Sequence, residues 1–349
     1  MLLVKGVLME LTSLLNIDYP IIQGGMANIS TPDLVVAVSQ AGGLGVLATG
    51  GFSLEEIREN IHRIKQATDK PFAVNVVLLH PQIQDLAQLV IDEGVDYITC
   101  GGGNPLPYFD RWVKAGIKVL PLVGNVKMAK KVQEAGALAC IFEGAEAGGH
   151  IGALNTMAEL PAICDAVDIP VISAGGIYTG RQILAAEVLG AQGVQVGSRF
   201  LLAEECPIHI NYKNYLINAL DSDTLVTGAS FGHPVRVVKN RLTDQLQKLE
   251  AEGASQEEFD AMARGAGNRA ASLGDTEWGS VMSGQGLAYF DKIQPAREII
   301  LDLMDQYKEA KASLLKWDWN KKKACGKYFL FSTSLFYFLF NIEGWNTPV

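Results

Sequence analysis

Apolar runs of five to eight residues punctuate the first two hundred positions of the chain. They are "YPIIQ" (19–23), "GLGVLA" (43–48), "PFAVNVVL" (71–78), "DYITC" (96–100), "IKVLPLV" (117–123), "ALACIFEG" (137–144), "IPVISAGG" (169–176) and "GVQVG" (193–197). Runs this short, rich in Val and Ile and bounded by Gly or Pro, predict strands buried on both faces, as in a parallel sheet. Between them the apolar period lengthens to that of a helix. In "SLEEIRENIHRIKQAT" Leu54, Ile57, Ile61 and Ile64 share one face, and Ser53 with Glu56 forms a capping box. "PQIQDLAQLVIDEG" and "VKMAKKVQEAG" each end in the glycine expected of a left-handed cap.

Eight strand–helix units in about two hundred residues predict an α/β fold, a (β/α)8 TIM barrel. An open doubly wound sheet uses the same alternation. The count of eight, and the absence of G-x-G-x-x-G after the first strand, favour the barrel.

A barrel of this kind works at the C-terminal ends of its strands. Those ends read "QGGMA", "NVVLLHP", "GGGNP", "EGAEAGGHIG", "AGGI" and "GSRF". Short turns alone rarely need paired glycines at four strand ends. The loops after strands seven and eight predict a phosphate site on backbone N–H groups. There, in "SAGGI" from Ser173 and in "VGSRF", Gly175, Gly176 and Gly197 allow close approach, and Ser198 adds a hydroxyl and an N-cap for "RFLLAEE". A flat conjugated ligand needs backbone on one face and partners for its edge. Gly24, Gly25 and Met26 supply the backbone. Asn75, a polar residue inside an apolar strand, is either paired with backbone or meets a ligand edge. His150, behind Gly148 and Gly149, is either a solvated loop residue or a proton donor held against a ligand.

Composition narrows the choice. The 349 residues carry a net charge of −9, against a nucleic-acid binder. Five cysteines (Cys100, Cys140, Cys164, Cys206 and Cys325) lack C-x-x-C spacing, which predicts free thiols in a reducing cytosol and no metal site. The N-terminal stretch lacks the cleavage pattern of a signal peptide, and Met9 is a candidate start. No run of eighteen apolar residues predicts a membrane span.

The segments "DYPIIQGGMA", "AGGLGVLATG", "KPFAVNVVLL", "EGAEAGGHIG", "IPVISAGGI" and "GVQVGSRF" resemble the flavin-dependent enoyl-[acyl-carrier-protein] reductase II family, kin to the nitronate monooxygenases. "FGHPVRVVKN" (231–240) and "WGSVMSGQ" (278–285) extend the resemblance to roughly Met9–Lys316 and lean toward the reductases. The resemblance implies a cytoplasmic enzyme, a homodimer, with FMN and either NADH or NADPH. Its substrate would be a trans-2-enoyl thioester on acyl carrier protein. The FMN phosphate would lie at Gly175, Gly176, Gly197 and Ser198. The ring would lie near Gly24, Gly25, Met26, Asn75, Glu143 and Gly149, with His150 facing the substrate. Oxidation of nitronates with O2 on the same FMN is the alternative, and a flavin-binding protein without turnover a third.

The resulting organisation is a barrel over 9–205, a helical substrate-side segment over 206–316, and an aromatic-rich tail over 317–349 that departs from the family: a membrane-surface tail, a partner-binding tail or, as the sudden break favours, a translated frameshift. His62 is expected on the surface, His80 at the rim and His209 in a structural role. His233 is expected at the substrate mouth. Arg236, Lys239 and Arg241 form a basic cluster, either a solvated face or one that meets phosphopantetheine, a pyridine nucleotide or the acidic carrier protein.

Overall fold

In the computed structural model, residues 8–316 are described. All eight expected strands form. They are β1 (Ile21–Gln23), β2 (Gly45–Ala48), β3 (Phe72–Val77), β4 (Tyr97–Gly101), β5 (Lys118–Val123), β6 (Cys140–Glu143), β8 (Val171–Ala174) and β9 (Gly193–Val196); a short β7 (Gly149–His150) lies outside the barrel. Neighbours pair in parallel in the order β1-β9-β8-β6-β5-β4-β3-β2. A parallel bridge from Ile22 to Leu44 closes the ring between β1 and β2. The fold is therefore a (β/α)8 barrel, and the open sheet is ruled out because both of its edges are paired.

The strand period of two sorts the side chains. Ile22, Val46, Ala73, Tyr97, Leu120, Ile141 and Ile172 form one buried interior cluster. Leu11 and Leu15 of the first helix (Leu8–Leu15) join it from below. Gly193 leaves the room: a Cβ there would collide with the Leu11 side chain. Each fully buried leucine contributes roughly 1.5–3 kcal/mol relative to exposure, so this plug stabilises the N-terminal end of the barrel.

The helices follow their sequence signals. Leu54–Ala67 opens on the expected box, with Glu56 N–H donating to Ser53 Oγ at 3.3 Å and Ser53 N–H to Glu56 Oε2 at 2.7 Å. It buries Ile57, Ile61 and Ile64. His62 is exposed as expected, but it also meets Glu93 Oε2 on the next helix at 2.6 Å. Four described cysteines are free, and burial pushes the Cys140 thiol up to about 12.

Beyond the barrel the expectation of helices alone is incomplete. Helices Ile210–Asn218, Arg241–Ala251, Gln256–Ala263 and Ala266–Ala271 are present. Two strands accompany them, β10 (Thr224–Thr227) and β11 (Val235–Val238), and β7 completes a three-stranded antiparallel sheet in the order β10-β11-β7. The chain divides into units 1–308 and 309–349. The described part of the second is the end of the helix Ala296–Leu315 and Lys316. The proposed tail over 317–349 and the candidate start region before residue 8 lie outside the described residues. No described helix is long and apolar enough to cross a membrane.

Candidate active site

The register brings the inward-facing residues at the C-terminal end of the barrel to one level. Ala48 pairs with Asn75 and Asn75 with Thr99 on one side; Glu143 pairs with Ala174 and Ala174 with Gln195 on the other. Each has the same parity as the interior cluster below it. The level is thus a polar floor made by Asn75, Thr99, Glu143 and Gln195. Asn75 and Glu143 were named from sequence. Thr99 and Gln195 were missed, although counting by two from Tyr97 and from Gly193 reaches both.

The Asn75 side chain has a partner that neither of its two readings named. Its Nδ2 donates to Thr99 Oγ1 at 2.9 Å, so the side chain is held by a neighbour on the floor rather than by backbone. Gly25 passes directly over it: a Cβ on Gly25 would lie 2.6 Å from Asn75 Cβ. The turn after β1 is fixed from beneath by the buried Gln23, which donates to Ser30 Oγ at 2.8 Å; that oxygen also accepts from Met26 N–H at 2.9 Å. Gly24, Gly25 and Met26 therefore present a firmly held backbone edge beside Asn75.

Glu143 ends β6. Among the described residues no hydrogen bond or ion pair reaches its carboxyl, and burial pushes its pKa up to about 7. A carboxyl desolvated without a cationic partner holds its proton well above the ordinary range.

The loops after β8 and β9 carry the glycines expected of an anion cradle. Gly175 and Gly176 adopt φ of 83° and 77°, which L side chains rarely adopt. Among the described residues no acceptor in the chain reaches the N–H groups of Gly175, Gly176 or Gly197. A Cβ added to Gly197 meets nothing within 4 Å. Free donors around a space that one methyl group would enter suit a phosphate.

Two expectations about this cradle change. Ser198 does not cap the helix after β9: Gly197 is the N-cap of the short 3-10 turn Ser198–Leu202, and no side chain caps it. Ser198 Oγ instead accepts from Gly284 N–H at 2.9 Å. Ser173 lies between Ile172 and Ala174, which face the interior, so its side chain points to the outer face of β8. Its Oγ is fully buried with no partner among the described residues.

Sequence reasoning also missed what covers the cradle. The segment Met282–Gly286 threads between the β6–β7 loop and Tyr178. Gln285 N–H donates to Glu146 O at 3.1 Å, and Tyr212 Oη donates to Met282 O at 2.8 Å. Side chains on Gly148 or Gly284 would strike this strap or Tyr178. Burial pushes the Tyr178 phenol up to about 12, with hydrogen bonds at Gly286 and Ser198 opposing the shift.

His150 stands at the mouth of this assembly. It is exposed, and its strand pairs with β11, Val235 opposite His150 and Arg236 opposite Gly149. Desolvation by the surrounding mouth, then the nearby His233, hold its pKa below the usual histidine value. His233 is exposed beside it, as expected of a mouth residue. His80 is tied down at the rim, its Nδ1 accepting from Gln82 N–H at 3.1 Å and its Nε2 lying 3.3 Å from Phe52 O. His209 is structural, capping Ile210–Asn218 through Nδ1. The basic cluster disperses. Arg236 is buried and turned inward, Lys239 donates to Ser222 O at 2.7 Å, and Arg241 pairs with Glu277 at 3.3 Å. They do not form one patch for an acidic partner.

Comparison with known proteins places this geometry among relatives. Residues 9–306 match the family described as nitronate monooxygenase. The chain is similar to a probable nitronate monooxygenase of Staphylococcus saprophyticus, 32% identical over 79% of this chain and 91% of that one. It is similar to a (3aS,4S,5R,7aS)-5-hydroxy-7a-methyl-1-oxo-octahydro-1H-indene-4-carboxyl-CoA dehydrogenase of Rhodococcus jostii, 39% identical over 68% of this chain and 67% of that one. Among solved structures it resembles FabK from Thermotoga maritima, with 42% identity and a TM-score of 0.85, over 87% of this chain and 97% of that one.

Proposed function

The chain belongs to the nitronate monooxygenase family, an oxidoreductase family, and from that premise we propose that it reduces trans-2-enoyl thioesters of acyl carrier protein with NADH or NADPH, using FMN. The observation that carries the reading is the conjunction at one rim of a glycine cradle with unpaired N–H groups, a polar floor and His150 at the mouth. The residues fit FMN. The N–H groups of Gly175, Gly176 and Gly197 would hold its phosphate, with Ser198 and the β8 segment from Ser173 framing the cradle. Gly24, Gly25, Met26, Asn75, Glu143 and Gly149 would flank its ring. Bound there, FMN supplies the two-electron chemistry that no side chain can.

The protein's own part is proton handling and position. Reduction of an enoyl thioester leaves an α-carbon to protonate, and His150 is the donor at the mouth. Glu143, whose pKa burial pushes up to about 7, is partly protonated near pH 7 and so would lessen the negative charge beside the ring. The similarity to FabK supports the reductase reading, and the carboxyl-CoA dehydrogenase relative supports a thioester.

A second reading, oxidation of nitronates with O2, has its own support in the Staphylococcus saprophyticus relative and in the depressed pKa of His150. A neutral imidazole accepts a proton readily; as a donor it must first be recharged. The two readings part on pH. A general acid works protonated, so thioester reduction falls as pH rises through the His150 pKa, below about 6.5. A general base gains over the same range.

FMN-loaded protein, mixed rapidly with NADH and then with crotonyl-CoA, tests the proposal. His150→Ala is expected to retain FMN and its rate of reduction by NADH, and to slow reoxidation by the thioester by roughly 10²-fold or more. Oxygen uptake with a nitronate, no NADH and no response to crotonyl-CoA would replace it with the second reading. Bound flavin inert to both substrates would leave a binding protein.

A further inference from the structure

We propose that Arg236 is a positioning residue for His150, acting through the loop that carries the histidine; this rests on the reading of His150 as the proton-handling group. His150 does not sit on the barrel. It occupies a strand of two residues whose partner is β11. Besides that pairing, Ile151 N–H donates to Pro234 O at 3.1 Å. The preceding residue, Gly149, has φ of 74° and no side chain with which to fix its place. So short a ladder leaves the imidazole poorly held unless something anchors the rest of the loop.

Arg236 is that anchor. Its backbone pairs with Gly149, immediately before the histidine. Its side chain turns under the same loop, where Nε and Nη2 donate to Ala145 O at 3.3 and 3.1 Å. One residue thereby grips both ends of the segment 145–149. The fork is steadied from behind by Nη1, which donates to Thr224 Oγ1 on β10 at 3.4 Å.

The chemistry is unusual for mere packing. Arg236 as a whole is 9% exposed, and among the described residues no carboxylate lies within ion-pair distance of its guanidinium. Glu146 is nearby, but its carboxylate accepts from Thr156 N–H and Oγ1. A buried cation without a paired anion is costly, and an apolar side chain of the same volume fills space at lower cost. The planar fork does what an apolar residue cannot: it fixes the direction of one loop carbonyl.

The test uses the full chain loaded with FMN, with NADH and crotonyl-CoA as probes. Arg236→Met keeps the volume and removes the fork. Reoxidation by crotonyl-CoA is expected to slow about 10-fold or more, with KM for crotonyl-CoA nearly unchanged and reduction by NADH within a few-fold of wild type. Arg236→Lys, which restores one donor, should recover part of the loss. On a His150→Ala background Arg236→Met should cost nothing further, because it acts through a group already removed. Equal slowing of both half-reactions, or a full additional loss on that background, would overturn the inference. If Arg236→Met does not retain FMN, Arg236→Lys and Thr224→Val are read against the same criteria. The failures are distinguishable: wild-type protein inert to crotonyl-CoA removes the proposed function, an unaffected His150→Ala removes the role of His150 and this inference with it, and a slowed His150→Ala beside a wild-type Arg236→Met removes the role of Arg236 alone.

Discussion

Two glycines of the anion cradle do different work. Gly197 has φ of −104°, which any residue adopts, and a Cβ there meets nothing within 4 Å. Gly175 has φ of 83°, and its Cβ would lie 2.8 Å from Gly144 O. Gly197→Ala is therefore expected to fold with stability changed by less than about 0.5 kcal/mol while losing affinity for FMN, because the methyl enters the cradle. Gly175→Ala is expected to lose roughly 1–2 kcal/mol of stability from the left-handed backbone alone. Thermal unfolding and FMN titration of both variants separate the effects. Undiminished FMN affinity in Gly197→Ala would remove the phosphate from this loop. Both glycines were legible in the sequence as candidates, but their φ angles, which decide what each is for, were not.

At the scale of elements, the barrel strands and helices were readable because each carries its own periodicity and end signals. The sheet of β7, β10 and β11 was not. β7 is two residues long and contains a glycine, and neither "TLVT" nor "VRVV" differs in pattern from an isolated apolar run. Its identity as a strand comes from its partner. The strap Met282–Gly286 is still less legible, since nothing in "MSGQG" but its glycines marks close packing. Gly284 is closely packed: a Cβ would strike Tyr178 Oη and lie 2.7 Å from Glu146 O. Gly284→Ala should displace the strap, break the bond from Gly284 N–H to Ser198 Oγ and weaken FMN binding about 10-fold, the effect of one hydrogen bond. Isothermal titration of FMN measures it, and affinity equal to wild type would show that the strap does not support the cradle.

For the whole molecule, the barrel, the three-stranded sheet and the strap all lie within residues 8–308, and the family match ends at residue 306. A chain ending at Lys316 is expected to unfold at the same temperature as the full chain and to bind FMN with the same affinity. A drop in either, by differential scanning fluorimetry or flavin titration, would assign residues 317–349 a part in the fold.

The sequence by itself determined the barrel, the rim at which glycines gather, and His150 as a candidate. These follow from local regularities: the alternation of period two and period 3.6, helix caps, and glycine where backbone must turn or approach. The tertiary structure alone decided which side chains share the floor, where Ser173 and Ser198 point, and what holds His150. Gln195 reaches the level of Glu143 through the register of three strands, and Arg236 reaches Ala145 across ninety-one positions of chain. Counting by two puts Gln195 on the inner face, but neither its level beside Glu143 nor the bond from Arg236 leaves a mark in a single sequence, because both depend on the path of the backbone between distant residues.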